Sequence, residues 1–130
     1  MAKTTKFNSD ELEERLARFA EKVIDLCRKL PKDTINQRLV PQVISSSGSS
    51  LANYGEACEA ESKKDFQHKI GIVKKELRES KNWLRLIARA NPQHKTECRQ
   101  LWQEAHELLL IFSKVLKTSR TKKKINLIDN

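Results

Sequence analysis

An unbroken helical repeat of apolar residues between Ser62 and Ala90 constrains the fold more than any other feature of this sequence. Its apolar side chains recur at spacings of three, four and seven, which places them on one face of an α-helix. They are Phe66, Ile70, Val73, Leu77, Leu84 and Ile87. Ser62 with Asp65 resembles a capping box at the start, and Pro92 disfavours helical geometry beyond the end. The pattern therefore predicts a helix about 40 Å long, whose apolar face other helices must cover.

Basic residues form a second stripe beside this apolar face. At about 100° per residue, they fall within roughly 80° of one another. These residues, called the cationic face below, are Lys63, Lys74, Arg78, Lys81, Arg85 and Arg89. Solvated helix surface is the simpler interpretation of such a stripe. The alternative is a binding surface for a polyanion.

A second apolar patch lies on the other flank of the same helix. It consists of Ile72, Trp83 and Leu86 and is called the Trp83 patch below. A neighbouring helix packed on the apolar face would not cover a side chain as large as Trp83. Two interpretations stay open, namely the interface of a homo-oligomer and the far edge of a wide core.

The net charge of +9 over 130 residues is spread unevenly. Residues 62–118 carry 13 Lys and Arg against 6 Asp and Glu, whereas residues 1–61 carry 9 against 10. Residues 119–130 lose the apolar pattern and form a basic tail with Arg120, Lys122, Lys123 and Lys124. This balance suits an anionic partner, most commonly nucleic acid. The simpler reading is a soluble basic protein.

Three further segments have helical patterns. The first spans residues 9–30, capped by Asn8 or Ser9 and stopped by Pro31. The second runs from Asp33 or Thr34 to about residue 61, although Pro41 would kink it and the serine-rich run 45–50 suggests a linker. The fourth begins near residues 93–96. Four amphipathic helices with short connections predict an all-α, antiparallel up-down-up-down four-helix bundle at residues 9–118, after a polar lead-in at 1–8.

Motifs for enzymatic chemistry are missing from the sequence. His94, Cys98 and His106 share one face of the fourth helix but lack a fourth ligand at zinc-site spacing. No glycine-rich phosphate loop and no nucleophile-elbow motif occurs. We therefore expect no enzyme, no metal and no cofactor.

The remaining sequence features indicate a location in the cell. Cys27, Cys58 and Cys98 have no paired spacing, and we interpret them as small buried or half-buried residues in a reducing cytoplasm. The N-terminus has charge but no apolar core typical of a secretory signal, and no apolar run has the length of a membrane span. We expect a cytoplasmic protein without membrane contact.

Several short motifs of this chain form a recognisable set, including Ala52-Asn53-Tyr54, Glu56-Ala57, Ser62, Asp65-Phe66 and Trp83-Leu84. They resemble the signature of a bacterial four-helix bundle family, first noticed as open reading frames within intervening sequences of 23S ribosomal RNA genes, and the resemblance covers about residues 7–115. The resemblance implies a four-helix bundle assembled into a ring, commonly a homopentamer. On its strength we keep the serine-rich run helical. Ser45 and Leu51 depart from the Arg and Gly usual in the family.

A more distant relative is the accessory protein of diversity-generating retroelements, a basic pentameric barrel that binds nucleic acid and a reverse transcriptase. This analogy implies RNA or DNA as a partner. Our leading hypothesis is a non-enzymatic oligomeric bundle that binds nucleic acid by phosphate contacts through the cationic face and the basic tail. The alternative is a protein–protein scaffold or accessory subunit, for example of a reverse transcriptase.

The polar residues of the shared motif can be interpreted without the family. Asn53 and Tyr54 lie near an apolar face, where burial demands hydrogen-bond partners. We expect Glu56 and Asp65, near the turn between the second and third helices, to supply some of them. A structural network at that corner is the simpler interpretation, and a functional pocket is the alternative.

Overall fold

The computed structural model describes residues 8–129, with side chains described for residues 8–121. The chain forms α1 (Ser9–Lys29), α2 (Asn36–Cys58), α3 (Lys63–Ala90) and α4 (Lys95–Asp129), with a 3-10 turn at Pro92–His94. No strand occurs between residues 8 and 129. The all-α prediction is therefore confirmed.

The helices are arranged so that each packs against its neighbours in sequence. α1 contacts α2 and α4, and α3 contacts the same two helices from the opposite corner. Contacts between α2 and α3 join Glu56 to Lys69, Ser46 to Ser80 and Asn36 to Asn91. Because residue numbers fall in α2 as they rise in α3, the two helices are antiparallel. The salt bridges Arg15–Glu104 and Lys29–Glu97 show that α1 and α4 are also antiparallel. The up-down-up-down topology is thus confirmed.

The apolar face of α3 lies at the centre of the bundle. Five of the six residues predicted for this face are fully buried, namely Ile70, Val73, Leu77, Leu84 and Ile87. Phe66 is half-buried against the edge of the core, since it lies in the first turn of the helix. Burying each aliphatic side chain stabilises the fold by about 1.5–3 kcal/mol. The apolar repeat of α3 therefore supplies most of the core packing from this helix.

Polar side chains set where the helices begin. Asn8 Oδ1 accepts hydrogen bonds from the backbone N–H groups of Asp10 and Glu11 at 2.9 and 3.1 Å. Ser62 Oγ accepts one from the Asp65 N–H at 3.0 Å, as the predicted capping box requires of the hydroxyl. These caps satisfy backbone donors that have no partner within the helix.

The ends of two helices differ from the predictions. α2 begins at Asn36, because the Asp33 carboxylate caps it by accepting from the Asn36 N–H at 2.8 Å, and it ends at Cys58 rather than near residue 61. α4 continues to Asp129, so the helix extends through residues 119–129 of the predicted basic tail rather than ending near residue 118. Lys and Arg favour helices, and neither Gly nor Pro follows residue 118 to stop the helix.

α2 remains helical through Pro41 and through the serine-rich run. Ser46, Ser47 and Ser50 are buried, and the Ser50 hydroxyl donates to the Ser47 carbonyl of the preceding turn at 2.7 Å. The Ser46 and Ser80 hydroxyls lie 2.7 Å apart across the contact between α2 and α3. Small side chains here let the helices pack closely, and local hydrogen bonds satisfy the hydroxyls. The helical interpretation of this run is confirmed.

The described helices include none with the combination of length and apolar composition that crossing a membrane requires.

Candidate nucleic-acid interface

The cationic face lies on the side of α3 that borders α4. Lys81 Nζ of this face is 2.9 Å from His106 Nδ1 of α4. Lys63, Arg78, Arg85 and Arg89 are exposed, and Lys74 and Lys81 are half-buried. The helix therefore presents basic groups to solvent along most of its length, as the sequence predicts.

Among the described side chains, no carboxylate forms a salt bridge with the cationic face. None of its six basic residues forms a salt bridge there, since the carboxylates of α4 point to α1 instead. Arg15 binds Glu104 and Glu107, and Lys29 binds Glu97. The Glu104 carboxylate is the main cause of the raised pKa of Arg15. The carboxylates of Glu97, Glu104 and Glu107 on α4 thus pair with α1 and not with the cationic face.

Lys81 forms a compact cluster with two rings of α4. Its ammonium donates to His106 Nδ1 at 2.9 Å and lies 4.5 Å from the centre of the Trp102 ring. The Trp102 and His106 rings stack with centroids 5.3 Å apart and planes inclined by 14°. Burial, and then the charge of Arg78, lowers the pKa of Lys81. Trp102 itself is half-buried.

A groove of about 860 Å³ opens between the C-terminal half of α3 and the start of α4, and is called the α3–α4 groove below. Its basic lining comes from both helices, Arg85 and Arg89 from α3 and Lys95 and Arg99 from α4. Lys95 and Arg99 are not among the sequence-predicted residues, because helical periodicity does not say which residues of another helix face a stripe. Their i, i+4 spacing was the one signal that could have marked them.

The family-motif residues Asn53 and Tyr54 have partners other than those predicted. The Tyr54 hydroxyl lies 3.2 Å from Ser9 Oγ, and its ring meets Phe112 edge-on with centroids 5.2 Å apart. Asn53 Nδ2 donates to the Ser49 carbonyl at 2.9 Å. The prediction that Glu56 and Asp65 serve these groups was wrong, because Tyr54 faces the start of the antiparallel α1 rather than the α2–α3 turn.

The α2–α3 corner is joined by a different contact. Glu56 Oε1 accepts from Lys69 Nζ at 2.6 Å, so a salt bridge connects the end of α2 with the first turns of α3. Ser62 and Asp65 act at the cap of α3. The polar residues of the motif thus bind partners inside the bundle or at its ends.

The residues of the Trp83 patch differ in the solvent exposure of their side chains. Trp83 is half-buried and packs against the edge of the core, and Ile72 is half-buried. Leu86 is 47% exposed. Trp83 therefore lies at the rim of the core, and Leu86 is exposed to solvent in the single chain.

The residues of the predicted basic tail fall partly outside the described side chains. Arg120 is exposed on α4, while Lys122, Lys123 and Lys124 lie outside the residues whose side chains are described. The described side chains contain no cluster of three metal-binding groups, and Cys98 is buried. Burial raises the pKa of Cys27 and of Cys98 to about 11. Cys58 is exposed, so the expectation that all three cysteines are at least half-buried was wrong.

Fold and surface together define an all-α, antiparallel four-helix bundle with a basic side. The family model for the 23S rRNA-intervening sequence protein matches residues 11–114, and the chain belongs to this family. The predicted resemblance is thereby confirmed.

The fold is also similar to a crystal structure from Bacteroides thetaiotaomicron VPI-5482, a protein of unknown function from the S23 ribosomal protein family. The two share 24% sequence identity with a TM-score of 0.76, over 84% of this chain and 97% of the other. A likeness at this level of identity shows the fold. A comparison with curated proteins gives no significant match.

Proposed function

We propose that this chain is a non-enzymatic, oligomeric helical bundle that binds RNA or DNA through phosphate contacts. The observation that carries the proposal is the cationic face, whose basic groups form no salt bridge with the described carboxylates. Phosphates supply most of the binding energy in sequence-independent recognition, and Lys and Arg are their usual partners.

The dimensions of the cationic face suit a nucleic-acid backbone. Lys74 and Arg89 mark the ends of its densest part, which spans about 22 Å at 1.5 Å per residue. This length corresponds to about six base pairs of duplex at 3.4 Å each. Aromatic residues for base stacking are scarce, at 5% of the chain. Contacts along this face would therefore be made to phosphates and would read little sequence.

Salt dependence of binding tests the proposal. Fluorescence anisotropy with labelled RNA and DNA of mixed sequence, between 50 and 200 mM salt, should give an affinity that falls steeply, with a log–log slope of about −0.9 per phosphate neutralised on duplex. Tight binding that hardly changes over this range would contradict it. A protein partner whose capture from lysate survives complete nuclease digestion would favour the scaffold alternative instead.

We also propose that the subunits associate through the Trp83 patch, with the homopentamer of the family resemblance as the expected assembly. The exposed Leu86 supports this, since it continues the apolar surface of Trp83 away from the core. Light scattering should show that Leu86→Glu lowers the particle mass, because a carboxylate would be buried in the interface. Leu110→Glu is the matched control, since Leu110 is 57% exposed on α4 outside the patch. Equal masses for the Leu86→Glu and unmodified proteins would contradict the interface.

A further inference from the structure

We propose that the α3–α4 groove binds unpaired nucleotides, so that the preferred ligand is a single strand rather than a duplex. This inference rests on the proposed nucleic-acid binding and names the class of nucleic acid. It is independent of the middle of the cationic face, since Lys74 and Arg78 do not line the groove.

The rim of the groove suits the backbone of a strand. Arg85 and Arg89 supply positive charge from one helix, and Lys95 and Arg99 supply it from the other. The ten described residues that line it include no Asp or Glu. A strand lying between the helices could therefore contact basic groups on both sides. The volume of about 860 Å³ lies within the roughly 300–1,000 Å³ typical of pockets for small organic ligands, which is ample for a nucleotide.

The apolar part of the lining suits a base. Ala88 and Trp102, both half-buried, also line the groove and would contact a flat ring rather than a phosphate. In a duplex the bases are stacked on one another and cannot enter a groove of this kind, so a duplex would use the basic rim alone. Unpaired bases can be turned out and stacked on aromatic side chains.

The geometry of the Lys81 cluster leaves one face of the Trp102 indole uncovered by its two neighbours. The ammonium and the imidazole each lie over the ring, and they are only 2.9 Å from each other. Groups on opposite faces would be separated by two van der Waals distances, about 7 Å in all. Lys81 and His106 therefore cover the same face. Trp102 lines the groove, whereas Lys81 and His106 do not, so we assign the other face of the indole to the groove.

The same cluster holds the indole in place. The stacked imidazole and the cation fix the orientation of the Trp102 ring before any ligand binds. A preorganised ring loses little conformational freedom on binding, so more of the stacking energy appears as affinity. Trp102 thus has the position and rigidity of a base-stacking platform.

The test compares single strands and duplexes of matched sequence, as RNA and as DNA, by anisotropy with the full chain. Trp102→Leu should weaken single-strand binding about tenfold, as expected from the loss of one base stack, and should leave duplex binding nearly unchanged. Trp102→Phe keeps an aromatic face and should restore most of the affinity. Circular dichroism of both variants checks the fold, and Trp102→Phe keeps the test valid should the leucine variant unfold.

A second readout follows the indole directly. With Trp83→Phe, Trp102 is the only remaining tryptophan, and its fluorescence should be quenched by a single strand more than by a duplex. Equal effects of Trp102→Leu on single strands and duplexes, or no quenching, would overturn the groove assignment while leaving backbone binding intact. Absence of any salt-sensitive binding to either ligand would instead overturn the proposed function.

Discussion

Asn36 and Asn91 form a reciprocal pair of amide hydrogen bonds in the interior of the bundle, each 2.9 Å long. Asn36 Nδ2 also donates to the Pro31 carbonyl, and Asn91 Nδ2 donates to the Ile87 carbonyl. The pair therefore joins the connection after α1, the start of α2 and the end of α3. It satisfies buried polar groups at the point where three segments meet, so it fixes how they align.

Replacing one member of this pair should destabilise the fold. Asn91→Ala leaves the Asn36 amide without its partner, and we expect the free energy of unfolding to fall by about 2 kcal/mol. Asn36→Leu with Asn91→Leu should cost less than the sum of the single changes, because no orphaned amide remains. Urea unfolding measures Asn91→Ala, the double leucine variant and its two single leucine variants. Asn82→Ala, on the exposed side of α3, is the control and should change stability by less than about 0.5 kcal/mol. Additive single and double effects would show that the two amides are not coupled.

A second prediction concerns the buried serines of α2, and an exposed neighbouring serine provides the control. Ser46→Leu should destabilise the protein by about 1–3 kcal/mol, because the larger side chain would force α2 away from Ser80 of α3. Ser45→Leu places the same side chain at an exposed position one residue earlier and should have little effect. Thermal unfolding of both variants checks this. Equal melting temperatures would mean that the contact between α2 and α3 is looser than described.

Tyr54 makes stability depend on pH in the alkaline range. Burial raises its pKa from 10.0 to about 12, so above pH 10 the unfolded chain releases the phenolic proton while the folded chain retains it. Stability is thus fully present below pH 10 and is lost as the pH rises toward 12. Tyr54→Phe should remove this part of the pH dependence in urea unfolding. Tyr54 is the only tyrosine, so phenolate absorbance reports it directly, and a titration midpoint near 10 in the folded protein would contradict the burial.

Features that depend on one helix were predictable from the sequence. The 3.6-residue period identified the buried residues of α3, such as Ile70 and Leu77, and the cap at Ser62 followed from a local rule. Features that depend on the register between helices were not predictable. The partner of Asn36 lies 55 residues away, and no local pattern marks it.

The candidate nucleic-acid interface also combines features of one helix, which were predictable, with contacts between helices, which were not. The cationic face lies on one helix, and its periodicity is visible in the sequence. The groove needs Arg99 of α4 beside Arg85 of α3, which follows only from the packed bundle. Tyr54 was assigned the wrong partner for the same reason, since Ser9 lies 45 residues before it. Sequence alone gives the faces of helices but not the pairs that meet across them.

The most direct test of the central claim compares two pairs of basic residues that differ in position but not in charge. Lys74→Gln with Arg78→Gln removes two charges from the middle of the cationic face and leaves the groove intact. Lys22→Gln with Arg28→Gln removes the same two charges from exposed positions on α1. Duplex affinity is measured against salt for both. We predict that the first pair weakens binding and reduces the log–log slope by about 1.8, while the second leaves the slope nearly unchanged. Equal slopes for the two pairs would show that net charge, and not the cationic face, determines binding.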